Sequence, residues 1–285
     1  MQNLFFSPLS PSQYAVGVLS ILGIYGLVQF FRRRKQDHED VNWTPLEAVA
    51  ITIFTYFATQ IIGGLAAGLI GQSRGLSDDQ INEAVSNSAG WQFLLVFAIE
   101  ALTALTILWF IRRRKTPLRN IGVVKPRWRD AGFALAGFGI YFVGYGLIIA
   151  NLVDRYLPQV DPNQRQELGF NHVTTPRDLV LVFITLAVLP PLVEEFMVRG
   201  FLYTGIRTKL PIVWAAVVTS AIFGIAHLEW GSGNPLLWSA AIDTFCLSMV
   251  LIALRQRTGS LWPGIGVHFI KNTIAFVALF IIKVV

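Results

Sequence analysis

The sequence has almost no cysteine and little charge. Its single cysteine, Cys246, excludes an intrachain disulfide. That residue lies inside an apolar segment and reads as packing. Charged residues make up 14% of the 285 positions, against roughly 25% in an ordinary soluble domain. No dinucleotide fingerprint, Walker loop, Cys-x-x-Cys pair or His-Glu-x-x-His is present, which excludes several common cofactor and zinc classes. No internal repeat is evident.

What the chain does have is apolar length. Hydrophobic residues reach 54% and the mean hydropathy is +0.56. Apolar stretches near 18 residues or longer recur along it, the mark of a multi-span membrane protein. The formal charge of +6 does not indicate nucleic acid. The basic residues cluster beside the ends of apolar segments, as membrane topology requires, and little soluble surface is left to track a phosphate backbone.

The expected architecture is an all-α, polytopic transmembrane helix bundle of about eight spans. Met1 to Gln13 reads as a tail. It has no basic residue before the first apolar run, so a retained helix is expected rather than a cleaved signal peptide. The expected spans are Tyr14 to Phe31, Leu46 to Ile70, Trp91 to Ile111, Ala131 to Ile149, Leu179 towards Arg199, Pro211 to Leu228, Pro235 to Leu254, and Leu261 to Ile282. Gly71 to Gly90, Asn151 to Arg177 and Gly200 to Leu210 read as connections, and 229–234 as a glycine-containing break. Gly64 and Gly68, and the glycines between Gly137 and Gly146, offer smooth faces for close helix approach. The basic runs at 32–35, 112–115, 125–129, 207–209 and 255–257 all fall on one side of such a bundle. The positive-inside rule puts that side in the cytoplasm and both termini outside, in a bacterial-type plasma membrane.

Polar residues within apolar runs carry the chemistry. Pro191-Leu192-Val193-Glu194-Glu195-Phe196-Met197-Val198-Arg199 ends one run. Adjacent carboxylates and an arginine at membrane depth imply a use. On a helix Glu195 and Arg199 share a face and can pair, while Glu194 is turned about 100° away. Pro190 and Pro191 must kink or break this helix just ahead of them. Phe223-Gly224-Ile225-Ala226-His227 brings a histidine to the end of the next run. His268-Phe269-Ile270-Lys271-Asn272 puts a histidine and an amide four apart in the last. Glu100 and Asp243 sit mid-span and should face the bundle. Lys271 is expected to snorkel towards an interface, and His172 to be solvated.

In this order, Glu-Glu-x-x-x-Arg, Phe-x-x-x-His and His-x-x-x-Asn resemble the CAAX-protease and bacteriocin-processing (CPBP or Abi) family of intramembrane proteases. That family includes the type II CAAX prenyl endopeptidases. The resemblance runs from about Leu179 to the C-terminus, which divides the chain into an N-terminal transmembrane region, 1–178, and a protease core, 179–285. It implies an intramembrane endopeptidase acting on a peptide or lipidated membrane-protein substrate. Glu194 and His227 would handle the water, and His268 and Asn272 the oxyanion, with Glu195 held by Arg199. The residues themselves allow those same roles. Glu194, His227 and His268 also form a His-His-Glu set that suits zinc with one open position. A metal-free mechanism is favoured and a zinc-dependent one is its alternative. Other classes left open are a non-catalytic scaffold or immunity protein and a proton-coupled transporter.

One expectation conflicts with another. His227 is some 16 residues into its span, about 24 Å at 1.5 Å per residue, whereas Glu194 and His268 sit only about 10 Å from the basic side. The three must nevertheless meet.

Overall fold

The computed structural model describes residues 40–161, 164, 168–170, 172–228 and 235–283. The expected tail, the first span from Tyr14 to Phe31 and the break at 229–234 lie outside the described residues. Every regular element described is helical.

The long helices are α1 (Pro45–Ser73), α3 (Ala89–Arg113), α4 (Trp128–Tyr156), α5 (Pro176–Arg207), α7 (Trp238–Thr258) and α8 (Trp262–Ile282). Among the described residues these six are long and apolar enough to cross a bilayer. Between α1 and α3 lies α2 (Asp78–Asn87), and between α5 and α7 lies α6 (Ile212–Ile225). The protein is thus an all-α, polytopic membrane-helix bundle.

Local chemistry sets the starts. Thr44 opens α1 with a capping box, accepting from Glu47 N–H while Glu47 reaches back to Thr44 N–H. Thr175 and Asp178 do the same for α5, with Pro176 in its first turn. Ser77 and Gln80 cap α2 in the same way. The stretch 71–90 is therefore not a plain polar loop. Its ten-residue helix packs Ile81 into the space left by Gly71.

The basic helix ends gather on one face. Asn42 bonds to the Arg114 carbonyl, Asn120 to the Asp40 carbonyl, and Arg255 to the Asn120 carbonyl. Beneath them a core forms from Trp43, Ile107, Phe110, Phe201, Tyr203 and Ile252.

Three boundaries differ from expectation, and together they remove the conflict in depth. Gly200 to Leu210 is not a surface connection. The helix runs on through Arg207, and Gly200 to Arg207 are all buried. Glu194 is then thirteen residues from that end, about 20 Å deep at 1.5 Å per residue. The start of α8 also lies deep, because Leu261 N–H bonds to the Gly122 carbonyl, and Leu261 and Ile121 both lie against Gly200. Finally α6 is a 14-residue helix that ends before His227. In addition, α4 extends seven residues past Ile149, to Tyr156.

The glycine expectation needs correcting as well. Gly64 and Gly68 meet nothing, whereas a side chain at Gly63 would strike Ile99, 2.7 Å away. In α4 the close approach is at Gly137, against Leu254 and Val267.

Candidate active site

The proline pair shapes the fifth helix. Ahead of it, Leu189 N–H bonds to the Ile184 carbonyl, five residues back. Past the glutamates, Tyr203 N–H bonds to Val198 in the same wide turn. Such π-turns widen the helix and re-aim the side chains between them. Neither Pro190 nor Pro191 has an N–H, so the Leu186 carbonyl loses both its α and its π donor. The side-chain amide of Asn272 supplies the missing bond at 2.9 Å.

Behind this kink lies a sealed charge cluster. Glu195 and Arg199 are both 0% exposed. Arg199 Nη1 stands 2.9 Å from Glu195 Oε1, one helical turn away. The contact is an ion pair without the alignment of a hydrogen bond, and all three guanidinium nitrogens lack a hydrogen-bond partner among the described residues. The guanidinium instead lies over the ring of Phe223, 4.3 Å from its centroid, a cation–π contact that gains from desolvation. His268 Nδ1 faces the same Glu195 oxygen at 3.4 Å.

Phe223, in the sequence only the first position of Phe-x-x-x-His, is the hub of the site. Its ring carries Arg199 on one face and meets His227 edge-on at 4.8 Å and His268 at 6.4 Å. Its carbonyl accepts from His227 Nδ1 at 2.8 Å. A carbonyl only accepts, so Nδ1 carries the proton and Nε2 keeps its lone pair. Two glycines complete the setting. At Gly224 a side chain would meet the Ala241 carbonyl at 2.7 Å, so α6 approaches α7 there. At Gly264 a side chain would lie 2.9 Å from Glu195 Oε2. Both glycines lie beside motif residues, but sequence alone does not separate them from the glycines common in membrane helices.

In front of the cluster is a cavity of about 1180 Å³, lined by Glu194, Phe223, His227, His268 and Asn272. Four of the six candidate residues thus line it, while Glu195 touches it through His268 and Arg199 through Phe223. Glu194 Oε2 has no hydrogen-bond partner among the described residues. Glu100, from α3, is near enough for its charge to act on Glu194. Tyr56, from α1, holds the Ala226 carbonyl at 3.2 Å, next to His227.

One expectation changes here. Lys271 does not snorkel; it pairs with Asp243 at 2.8 Å inside the cavity. Asp243 both finds a donor in the bundle and extends the cavity, since Tyr141 also donates to it. As for zinc, among the described residues no three His, Cys, Asp or Glu side chains converge closely enough to hold a metal ion. The residues present do not form that site.

The fold and the cluster define a membrane-embedded helix bundle with an acid–histidine–arginine site at depth. Residues 176–274 match the family model described as type II CAAX prenyl endopeptidase Rce1-like, so part of the chain carries a domain of that kind. Among curated proteins, the chain is 24% identical over 221 residues to "Putative membrane peptidase YdiL" of Bacillus subtilis (strain 168). That alignment covers 78% of this chain and 84% of the relative. It is 25% identical over 159 residues to "Uncharacterized 24.3 kDa protein" of Escherichia coli, covering 55% of this chain and 64%, just under two thirds, of that protein. No solved structure is significantly similar.

Proposed function

We propose that the protein is an intramembrane endopeptidase that hydrolyses a peptide bond of a membrane-associated substrate. The observation that carries this reading is one cavity lined by Glu194, His227 and His268, with the Glu195–Arg199 pair sealed behind it. The Rce1-like match over 176–274 supports the same class.

In the proposed mechanism Glu194 takes a proton from a cavity water, and the water oxygen bonds to the scissile carbonyl carbon. His227, its Nδ1 proton fixed on Phe223, offers Nε2 to the same water. His268 donates its Nδ1–H in a hydrogen bond to Glu195, so Nε2 carries an N–H when the ring is the imidazolium. That N–H meets the oxyanion, together with the amide N–H of Asn272 that the Leu186 carbonyl leaves over. Collapse of the intermediate breaks the C–N bond, and the proton on Glu194 passes to the leaving amine. Glu195 and Arg199 position His268 and do not touch substrate.

The division into 1–178 and 179–285 belongs to this reading, as do eight spans, with 14–31 as the first and α6 as a half-length sixth. The gathered basic face would be cytoplasmic, in a bacterial-type plasma membrane. A second, largely apolar cavity of about 590 Å³ flanks the kink, lined by Trp128, Val188, Leu192 and Phe269 among others. It suits the lipid chain of a lipidated substrate.

The test is cleavage of a lipid-linked peptide by purified protein in detergent, read by mass spectrometry. Glu194→Ala and His227→Ala should each lower the rate at least about 100-fold. Unchanged cleavage in the double variant overturns the proposal. Peptide binding without product, or proton-driven uptake into proteoliposomes without product, would favour the scaffold or transporter class instead.

A further inference from the structure

The cavity holds a second polar group that hydrolysis does not use. Asp243 from α7 and Lys271 from α8 both line it, paired at 2.8 Å. Tyr141 donates its hydroxyl to Oδ1 of Asp243, while Lys271 takes Oδ2. Tyr145 stacks parallel on Tyr141 at 5.9 Å, which fixes that ring. Both oxygens of Asp243 therefore have a partner, and its position is set by two helices.

The ammonium differs. It has three N–H donors, and one carboxylate oxygen commits one of them. Its side chain is 27% exposed, within the cavity, and its four-carbon stem turns freely. On α8, Lys271 follows His268 by three residues and adjoins Asn272, so it lies within one helical turn of the proposed oxyanion donors. An anion drawn to Lys271 would not orphan Asp243, because Tyr141 keeps its bond. Spare capacity in this group is thus for a negative charge. A partly buried ion pair contributes little to stability by itself, and at membrane depth ionisable residues mark pathways and sites.

We propose that Lys271 is a specificity-determining residue that binds a carboxylate of the substrate peptide, held ready by Asp243 and Tyr141. The inference rests on the endopeptidase reading and names its substrate class as peptides with a carboxylate near the scissile bond. That carboxylate belongs either to the C-terminus or to an acidic side chain.

The probes are three versions of one short lipid-anchored peptide: free acid, C-terminal amide, and amide with an aspartate in the last position. Full-length protein in detergent should cleave the free acid with a KM roughly tenfold below that of the amide, the value of one charge-assisted hydrogen bond. If the aspartate peptide behaves like the acid, side-chain carboxylates serve; if like the amide, the terminus alone is read. Lys271→Gln should raise KM for the acid to the amide level with kcat little changed. Asp243→Asn, which leaves the ammonium in place, should keep the preference. Equal KM for acid and amide in the wild-type protein, or undiminished discrimination in Lys271→Gln, overturns the proposal. A merely structural pair would instead lower kcat alike for all peptides in both variants. If wild-type protein cleaves no peptide, the endopeptidase reading fails, and binding of the same peptides to wild-type and Lys271→Gln protein, by thermophoresis, still decides the role of Lys271.

Discussion

Asn272, on the last helix, donates its side-chain amide to the backbone carbonyl of Leu186, 86 residues earlier, at 2.9 Å. That carbonyl is the one whose α and π donors would both be prolines, at 190 and 191. The bond therefore closes the kink that presents Glu194, and it ties α8 to α5 at the level of the site. It also commits one of the two N–H groups of Asn272 and leaves one for substrate.

Two duties on one residue are separable. Asn272→Ala should destabilise the protein by about 1–3 kcal/mol, because a buried carbonyl loses its partner, and should lower cleavage as well. Adding Pro190→Ala restores a helical donor to Leu186. The double variant should regain most of the thermal stability in detergent but not the activity. Recovery of both would reduce Asn272 to a tether.

Gly264 stands against Glu195 with no room between them. A Cβ there would sit 2.9 Å from Oε2 of a carboxylate already engaged by Arg199 and His268. Gly264→Ala should push that carboxylate and tilt His268, at a penalty of about 1–3 kcal/mol for overpacking. The rate should fall about tenfold or more with KM nearly unchanged, since Glu195 does not touch substrate. Gly139→Ala, where nothing lies within 4 Å, is the control and should leave the rate alone.

Five of the six candidate residues stand out in the sequence because charge and imidazole inside apolar runs have few structural excuses, and Asn272 stands out by its one-turn spacing from His268. Their pairing was partly legible too, since the Glu195–Arg199 spacing follows from helical geometry. The role of Phe223 was not, because one more aromatic in a membrane helix looks like any other until a guanidinium lies on its face. The fifth helix appeared to stop near Arg199, as Gly200 and then Arg207 and Lys209 imitate a span end. In fact Arg207 is buried and bonds to the Leu210 carbonyl. Which glycines pack was also hidden. Lipid and neighbouring helix are equally apolar, so the sequence around Gly63 and Gly64 does not distinguish them. Lys271 was misjudged because its partner, Asp243, comes from another helix.

Metal dependence has a direct test. No three ligand-type side chains converge among the described residues, and Nδ1 of both site histidines is turned to a protein acceptor, the Phe223 carbonyl or Glu195. Cleavage by purified protein should survive exhaustive chelation, with far less than one metal per chain by elemental analysis. One zinc per chain, lost with activity on chelation and restored with it, would defeat the metal-free mechanism.

The Glu195–Arg199 pair makes the sharpest thermodynamic prediction. Both ends are fully buried, and the guanidinium has no hydrogen-bond partner among the described residues, so it relies on Glu195 and Phe223, while the carboxylate relies on Arg199 and His268. Removing one end leaves an uncompensated charge in a dry interior, which costs about 3–5 kcal/mol. Glu195→Gln and Arg199→Met should each destabilise by that order. The double variant should be more stable than either single one, because no charge is then stranded. Activity should follow a different course. His268 needs the carboxylate to accept its Nδ1–H and orient the ring, so Glu195→Gln should stay slow whether or not Arg199 is also replaced. Arg199→Met alone should retain more activity than Glu195→Gln, provided both are assayed well below their thermal midpoints. If stability and rate instead recover together in the double variant, the pair is structural only and His268 acts without it.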